Sequence, residues 1–161
     1  MNKIKIYLDT SVVSHLKAED TPEKMSDTLE FWDILKENIY EVYISDLTLS
    51  ELSKCLEPKK TILDEFLARI EYMDIDENKE SIILADEYLK HGVLNEKSRD
   101  DCRHISLATV IGCKYIISWN FKHFVNIKVI NKVQAVNKLN GYDEIAILPP
   151  SMFLKGDEEL W

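Results

Sequence analysis

Residues 3–16 read KIKIYLDTSVVSHL. Branched and aromatic residues, Ile4, Ile6 and Tyr7 among them, run up to the carboxylate of Asp9, and the hydroxyls of Thr10 and Ser11 follow at once. The pattern predicts a strand over 4–9. An acid at the end of such a strand has two readings. It can cap a helix that begins at Thr10, because Asp followed by Thr-Ser suits a helix start. It can also stand in the crevice outside the carboxyl ends of a parallel sheet, where open α/β sheets bind their ligands.

Working outward, four more stretches read as strands: EVYIS (41–45), EYMDI (71–75), KYIIS (114–118) and IKVIN (127–131). EIAILPP (144–150) is either a short last strand or an extended tail. Helical patterns lie between them at 21–39, 46–55, 59–70, 78–90 and 98–112. The first has Thr21 as N-cap, Pro22 at the first helical position and Glu23 in the first turn. Alternating β and α elements predict an α/β domain: a central, mostly parallel sheet of four to five strands with helices on both faces. One domain is expected over 1–150, with a C-terminal tail over 151–161. Its last residues, KGDEELW, suit a frayed end or a contact between chains.

The 161 residues are 45% apolar and 30% charged, which fits a soluble globular domain. The 29 acids outnumber the 20 Lys and Arg, for a net charge of −9. Such a surface has no general attraction for a phosphate backbone. Affinity for nucleic acid would have to come from a local basic patch, a metal or a partner. Cys55, Cys102 and Cys113 are odd in number and form no CxxC pair, so reduced thiols are expected rather than a zinc site or disulfides. No stretch is long and apolar enough to span a bilayer and none resembles a signal peptide, so a cytoplasmic protein without membrane attachment is expected.

Polar groups follow or flank strands at four places. Asp9 is the first. In SDLTLSELSKCL (45–56), Ser45 or Asp46 can cap the helix, and Glu51 shares a face with Leu47 and so can point inward. In SRDDCRHISLATVIGCKYIIS (98–118), Asp101, Ile105 and Ala108 fall on one stripe, and an acid near the helix start suits the dipole. One of Asp100 and Asp101 can instead be a cap, and His104 reads as a satisfied core histidine. In SWNFKHF (118–124), Ser118 and Asn120 reach the same crevice, or Asn120 caps the next helix while Trp119 and Phe121 pack. Three converging carboxylates, Asp9, Glu51 and Asp101, repel one another unless a hard cation sits among them, and Mg²⁺ or Mn²⁺ suits oxygen ligands. Thr10, Ser11, Ser118, Lys122 and His123 are candidates for substrate contact beside the crevice. Lys54, Lys59, Lys60, Arg99 and Arg103 are further candidates, with a solvated face as the alternative. Trp119 or Phe121 can stack on a base, although core packing is the commoner use of such residues.

The four stretches YLDTSVVS, SDLTLSEL, DDCRHISLA and YIISWNFKHF, in that order, resemble the PIN-domain family, in particular the VapC-type toxin ribonucleases. The resemblance runs to about Pro150. It implies a three-layer α/β/α sandwich and a metal-dependent endoribonuclease that hydrolyses RNA, leaving 5′-phosphate and 3′-hydroxyl ends. It assigns catalysis to Asp9, Glu51 and Asp101, and Mg²⁺ or Mn²⁺ binding to these three with Asn120. Many PIN domains carry Asp where Asn120 stands; Asn can ligate through its carbonyl oxygen or hold a water, but adds no charge. The resemblance also implies a homodimer and, for a toxin of a type II pair, a small antitoxin whose basic side chain fills the acidic crevice. A housekeeping RNA-processing nuclease is an alternative. So is a PIN-like binding scaffold with weakened catalysis, which Asn120 and the acidic charge favour and the three intact acids oppose. A haloacid-dehalogenase-type phosphatase would need an acid at Ser11, and a Rossmann nucleotide binder would need glycines after the first strand.

Overall fold

In a computed structural model of the protein, residues 2–154 are described. The expectation for the segment 155–161 lies outside them. Five strands form one sheet in the order β3-β2-β1-β4-β5, where β1 is Ile4–Leu8, β2 Tyr40–Ser45, β3 Met73–Ile75, β4 Tyr115–Ile117 and β5 Ala146–Leu148. Every neighbouring pair is parallel. Seven helices connect them: α1 Thr10–Ser14, α2 Pro22–Lys36, α3 Asp46–Leu52, α4 Lys59–Leu67, α5 Lys79–Lys90, α6 Arg99–Ile111 and α7 Ile127–Leu139.

The sheet divides two hydrophobic layers, and the period-2 geometry of a strand decides which residue joins which. Ile6 and Leu8 of β1, with Val42 and Ile44 of β2, face Val12, Phe31, Trp32, Leu35 and Leu63 from α1, α2 and α4. Tyr7 and Tyr43, between them in sequence, face Leu84, Tyr88, Ile105, Val129 and Val133 from α5, α6 and α7. The result is the expected α/β/α sandwich. The C-terminal segment belongs to the packing as well. Phe153 lies 5.5–5.8 Å, centroid to centroid, from Phe31, Tyr40 and Tyr115.

One element differs from the sequence expectation. IKVIN is the first part of α7, not a strand, and the fifth strand is Ala146–Leu148. The Asn126 side chain accepts from Lys128 N and Val129 N and starts the helix. Val129, Val133 and Val136 are buried at helical spacing, so packing of one stripe overrides the β propensity of a β-branched run. α6 ends at Gly112, whose φ of 89° is the left-handed conformation that stops a helix and turns the chain into β4. Among the described residues no helix is long and apolar enough to cross a membrane.

Candidate functional site

The chain runs from β1 outward to β3, then returns to place β4 on the other side of β1. The direction of winding therefore reverses between β1 and β4, and the crevice outside their carboxyl ends is the natural ligand site of such a sheet. Asp9 lies in that crevice. Its backbone N–H donates to Ile117 O at 3.0 Å, continuing the ladder one step beyond β1. The residue is only 5% exposed, and its carboxylate accepts from Ser11 Oγ at 2.7 Å and from Ser118 Oγ at 2.9 Å, and from Ser11 N at 3.4 Å. Both readings of this acid hold together: it caps α1 and it faces the switch point.

Glu51 reaches the same end of the sheet from α3. Ser45 caps that helix through Thr48 N, leaving Asp46 exposed in its first turn. The Glu51 carboxylate accepts from Thr10 Oγ1 at 3.0 Å and from His104 Nε2 at 2.6 Å. His104 is 1% exposed, and its Nδ1 lies 2.6 Å from Tyr7 Oη, which lies 2.6 Å from Ser45 Oγ. A buried polar chain therefore runs from the core to Glu51. With His104 neutral, Tyr7 donates to Nδ1; with His104 protonated, Nδ1 donates to Tyr7. Burial works against the charged imidazole, but the Glu51 hydrogen bond and the charges of Asp9, Glu51 and Asp101 outweigh it and raise the His104 pKa. Burial likewise works against the charged carboxylate of Glu51, and the His104 hydrogen bond and charge and the Thr10 bond outweigh it and lower the Glu51 pKa. Burial keeps the Tyr7 phenol protonated.

These directions give the pair a pH window. The raised His104 pKa contributes stability that is whole below its ordinary value of 6.5 and disappears as pH rises through the folded value. The lowered Glu51 pKa contributes stability that is whole above its ordinary value of 4.5 and disappears as pH falls through the folded value. The Tm difference between wild type and Glu51→Gln is accordingly expected to be largest between pH 4.5 and 6.5 and to narrow on both sides. At its maximum, the loss of a charge-assisted hydrogen bond corresponds to roughly 3–6 °C. Thermal melts of both proteins across pH 3–9 check this.

Asp101 lies in the first turn of α6, one turn before His104. Its Oδ2 accepts from His123 Nδ1 at 2.7 Å. Burial raises the Asp101 pKa; the His123 hydrogen bond opposes that, and the negative charge of Asp9 adds to the rise. Asp100, its neighbour, faces out and pairs with Arg103. Asn120 behaves as a turn cap: its Oδ1 accepts from Lys122 N at 3.1 Å and His123 N at 2.9 Å. The oxygen that would ligate a metal thus already carries two backbone donors, and this cap sets His123 toward Asp101.

Of the proposed substrate-contact residues, Thr10, Ser11 and Ser118 bond to the acids themselves, His123 bonds to Asp101, and Lys122 is exposed beside them. Arg99 pairs with Glu96 and Asp86, Arg103 with Glu77 and Asp100, and Lys60 with Asp64, while Lys59 donates to Ser14. These cations serve surface ion pairs or local bonds. Burial pushes the thiols of Cys102 and Cys113 up to about 12, so neither is a nucleophile at neutral pH.

Sequence reasoning placed three acids around one ion. The structure gives Glu51 and Asp101 a histidine each, and among the described residues no group of three or more His, Cys, Asp or Glu side chains is arranged to hold a metal ion. The donor set still suits a small hard cation. Asp9 and Asp101 feel each other's charge in a buried setting, and Mg²⁺ commonly uses one or two carboxylates and keeps several waters. The functional partner that sequence reasoning missed is the His104–Glu51 bond. It joins positions 53 apart, and only the i, i+3 spacing of Asp101 and His104 hinted that the histidine lies near the acids.

A five-stranded parallel α/β/α sandwich with a buried acid, Asp9, and two half-buried ones, Glu51 and Asp101, near its switch point defines a class of domain whose chemistry sits at the carboxyl edge of the sheet. The family model for the PIN domain matches residues 6–127, and the chain belongs to the PIN-domain family. Members of this family are generally nucleases. Among solved structures, the chain is similar to one in the crystal structure of VapBC2 from Rickettsia felis bound to a DNA fragment from their promoter. The TM-score is 0.56 at 17% identity, over 91% of this chain and 98% of that one. No curated protein matches the sequence.

Proposed function

We propose that the protein is a divalent-metal-dependent endoribonuclease and the toxin of a type II toxin–antitoxin pair. The observation that carries this is the placement of Asp9 at the β1–β4 switch point, buried and within charge reach of Asp101, in a chain of the PIN family. Asp9 and Asp101 would hold Mg²⁺ or Mn²⁺, with Glu51 on the ion or on one of its waters. When bound, the ion supplies Lewis-acid stabilisation of the phosphodiester and a more acidic water.

The protein's own groups do the rest. Ser11 and Ser118 orient the Asp9 carboxylate by donating to it, and His104 with Thr10 holds Glu51 extended into the crevice. His123 orients Asp101 and carries a proton on the nitrogen that faces it. The exposed Lys122 is placed to meet a phosphate next to the one being cleaved. The VapBC2 likeness supports an antitoxin partner, and a basic side chain of that partner would neutralise the acids by charge-assisted hydrogen bonds. The chain is cytoplasmic and dimeric in this account.

The test is cleavage of a single-stranded RNA with Mn²⁺. Wild type is expected to cut, leaving 5′-phosphate ends, and Asp101→Asn to lose more than the roughly 10- to 100-fold that removal of an outer-shell partner costs. Cleavage by Asp101→Asn at the wild-type rate would end the proposal.

A further inference from the structure

Asn120 is followed by the turn 121–124, and this turn is tied to both acids. Upstream, Trp119 N donates to Ser11 Oγ at 2.9 Å, and Ser11 Oγ donates to Asp9. Downstream, His123 donates to Asp101. Phe121 lies midway, two residues from each anchor, and the residue is 48% exposed. Trp119, by contrast, is 7% exposed and fixed by its indole N–H, which donates to Thr28 Oγ1 at 2.8 Å. The two rings meet edge to face at 6.1 Å. Lys24 of α2 lies over both, 5.1 Å from the Phe121 centroid and 5.7 Å from that of Trp119. Lys24 and Lys122 form no ion pair among the described residues, whereas Lys60, Arg99 and Arg103 do.

We infer that Phe121, backed by Trp119 and flanked by Lys24 and Lys122, is a stacking subsite for the unpaired base of the nucleotide next to the scissile phosphate. An exposed aromatic residue beside two ammonium groups that no carboxylate neutralises is the combination that binds single-stranded nucleic acid: the ring takes the base, the cations take the neighbouring phosphates. Trp119 and its bond to Thr28 fix the backing ring, and the cap from Asn120 fixes the turn, so Phe121 is offered with little entropy left to lose. This also answers the charge problem of an acidic chain. The attraction for RNA is local, and it lies on the turn that orients the acids.

The inference rests on the nuclease proposal, and two measurements keep them apart. The first is binding of a fluorescently labelled single-stranded RNA in EDTA, where no turnover occurs, read by anisotropy. Phe121→Ala is expected to weaken binding about tenfold, Phe121→Tyr to restore it, and pairing the same RNA into a duplex to remove the difference. The second is cleavage with Mn²⁺, where Phe121→Ala is expected to lower kcat/KM about tenfold through KM. Equal RNA affinity in wild type and Phe121→Ala, with both folded by circular dichroism, overturns the subsite. So does tighter binding of the duplex than of the single strand. Stacking-dependent binding without any cleavage by wild type supports the subsite and removes the nuclease proposal.

Discussion

Asp9→Asn is expected to yield a protein that is catalytically dead and yet melts within a few degrees of wild type. The two effects separate because Asp9 does two jobs. As the N-cap of α1 it needs only an acceptor oxygen, and Asn caps a helix about as well as Asp. The hydroxyls of Ser11 and Ser118 retain an acceptor in the amide oxygen. As the proposed metal ligand it needs its charge, and Asn has none. The substitution also removes a repulsion. The pKa of Asp101 is raised by burial and by the charge of Asp9, so the ionised form of Asp101 costs stability at every pH above its ordinary value of 3.8. With Asp9 neutral that cost shrinks at neutral pH, which offsets the weaker bonds to Ser11 and Ser118. RNA cleavage with Mn²⁺ is expected to fall by more than the roughly 100-fold upper bound for losing an outer-shell group. Cleavage assays paired with thermal melts at pH 7 read both quantities on one sample. A large fall in Tm would show that the acid is mainly structural.

His104→Ala is expected to have the largest effect on stability. The imidazole is buried, and its loss leaves a cavity between α6, β1 and α3 while depriving both Tyr7 and Glu51 of a partner. Tyr7 retains Ser45 and Glu51 retains Thr10, so the cost is that of the cavity and two weakened bonds, about 3 kcal/mol. For a chain of this length that is a fall of roughly 6–12 °C in Tm. His104→Gln can present an N–H near the position of Nε2 and so recover the Glu51 bond. It is expected to recover Tm in part and cleavage in larger part than Ala does. Equal Tm for wild type and His104→Ala would show that the Tyr7–His104–Glu51 chain does not hold the site together.

Much of the scaffold is legible in the residues. β1 and β2 alternate two faces, and both faces turn out to be buried, as crossover helices require. Helix α2 announces itself through Thr21 and Pro22, although the Thr21 side chain makes no capping bond. The misreading of IKVIN shows the limit of a short window. A window of five residues, three of them β-branched, fits a strand, whereas thirteen residues from Ile127 to Leu139 show Asn126 as cap and Val129, Val133 and Val136 on one face. The acids could be picked out because each follows or flanks a strand, and a parallel sheet sends such positions to one edge. Their hydrogen-bond partners could not. The bonds from His104 to Glu51 and from His123 to Asp101 join different elements, and no local spacing encodes a side chain's choice of acceptor. The same holds for Lys24, which reaches Phe121 and Trp119 from a helix nearly a hundred residues away.

The central claim is that Asp9 and Asp101 together bind one divalent ion, and calorimetric titration of Mn²⁺ into wild type, Asp9→Asn and Asp101→Asn tests it most directly. The account predicts saturable binding by wild type and affinity lowered by more than about tenfold in each variant. Absence of binding by wild type, or the same affinity in all three proteins, would contradict it.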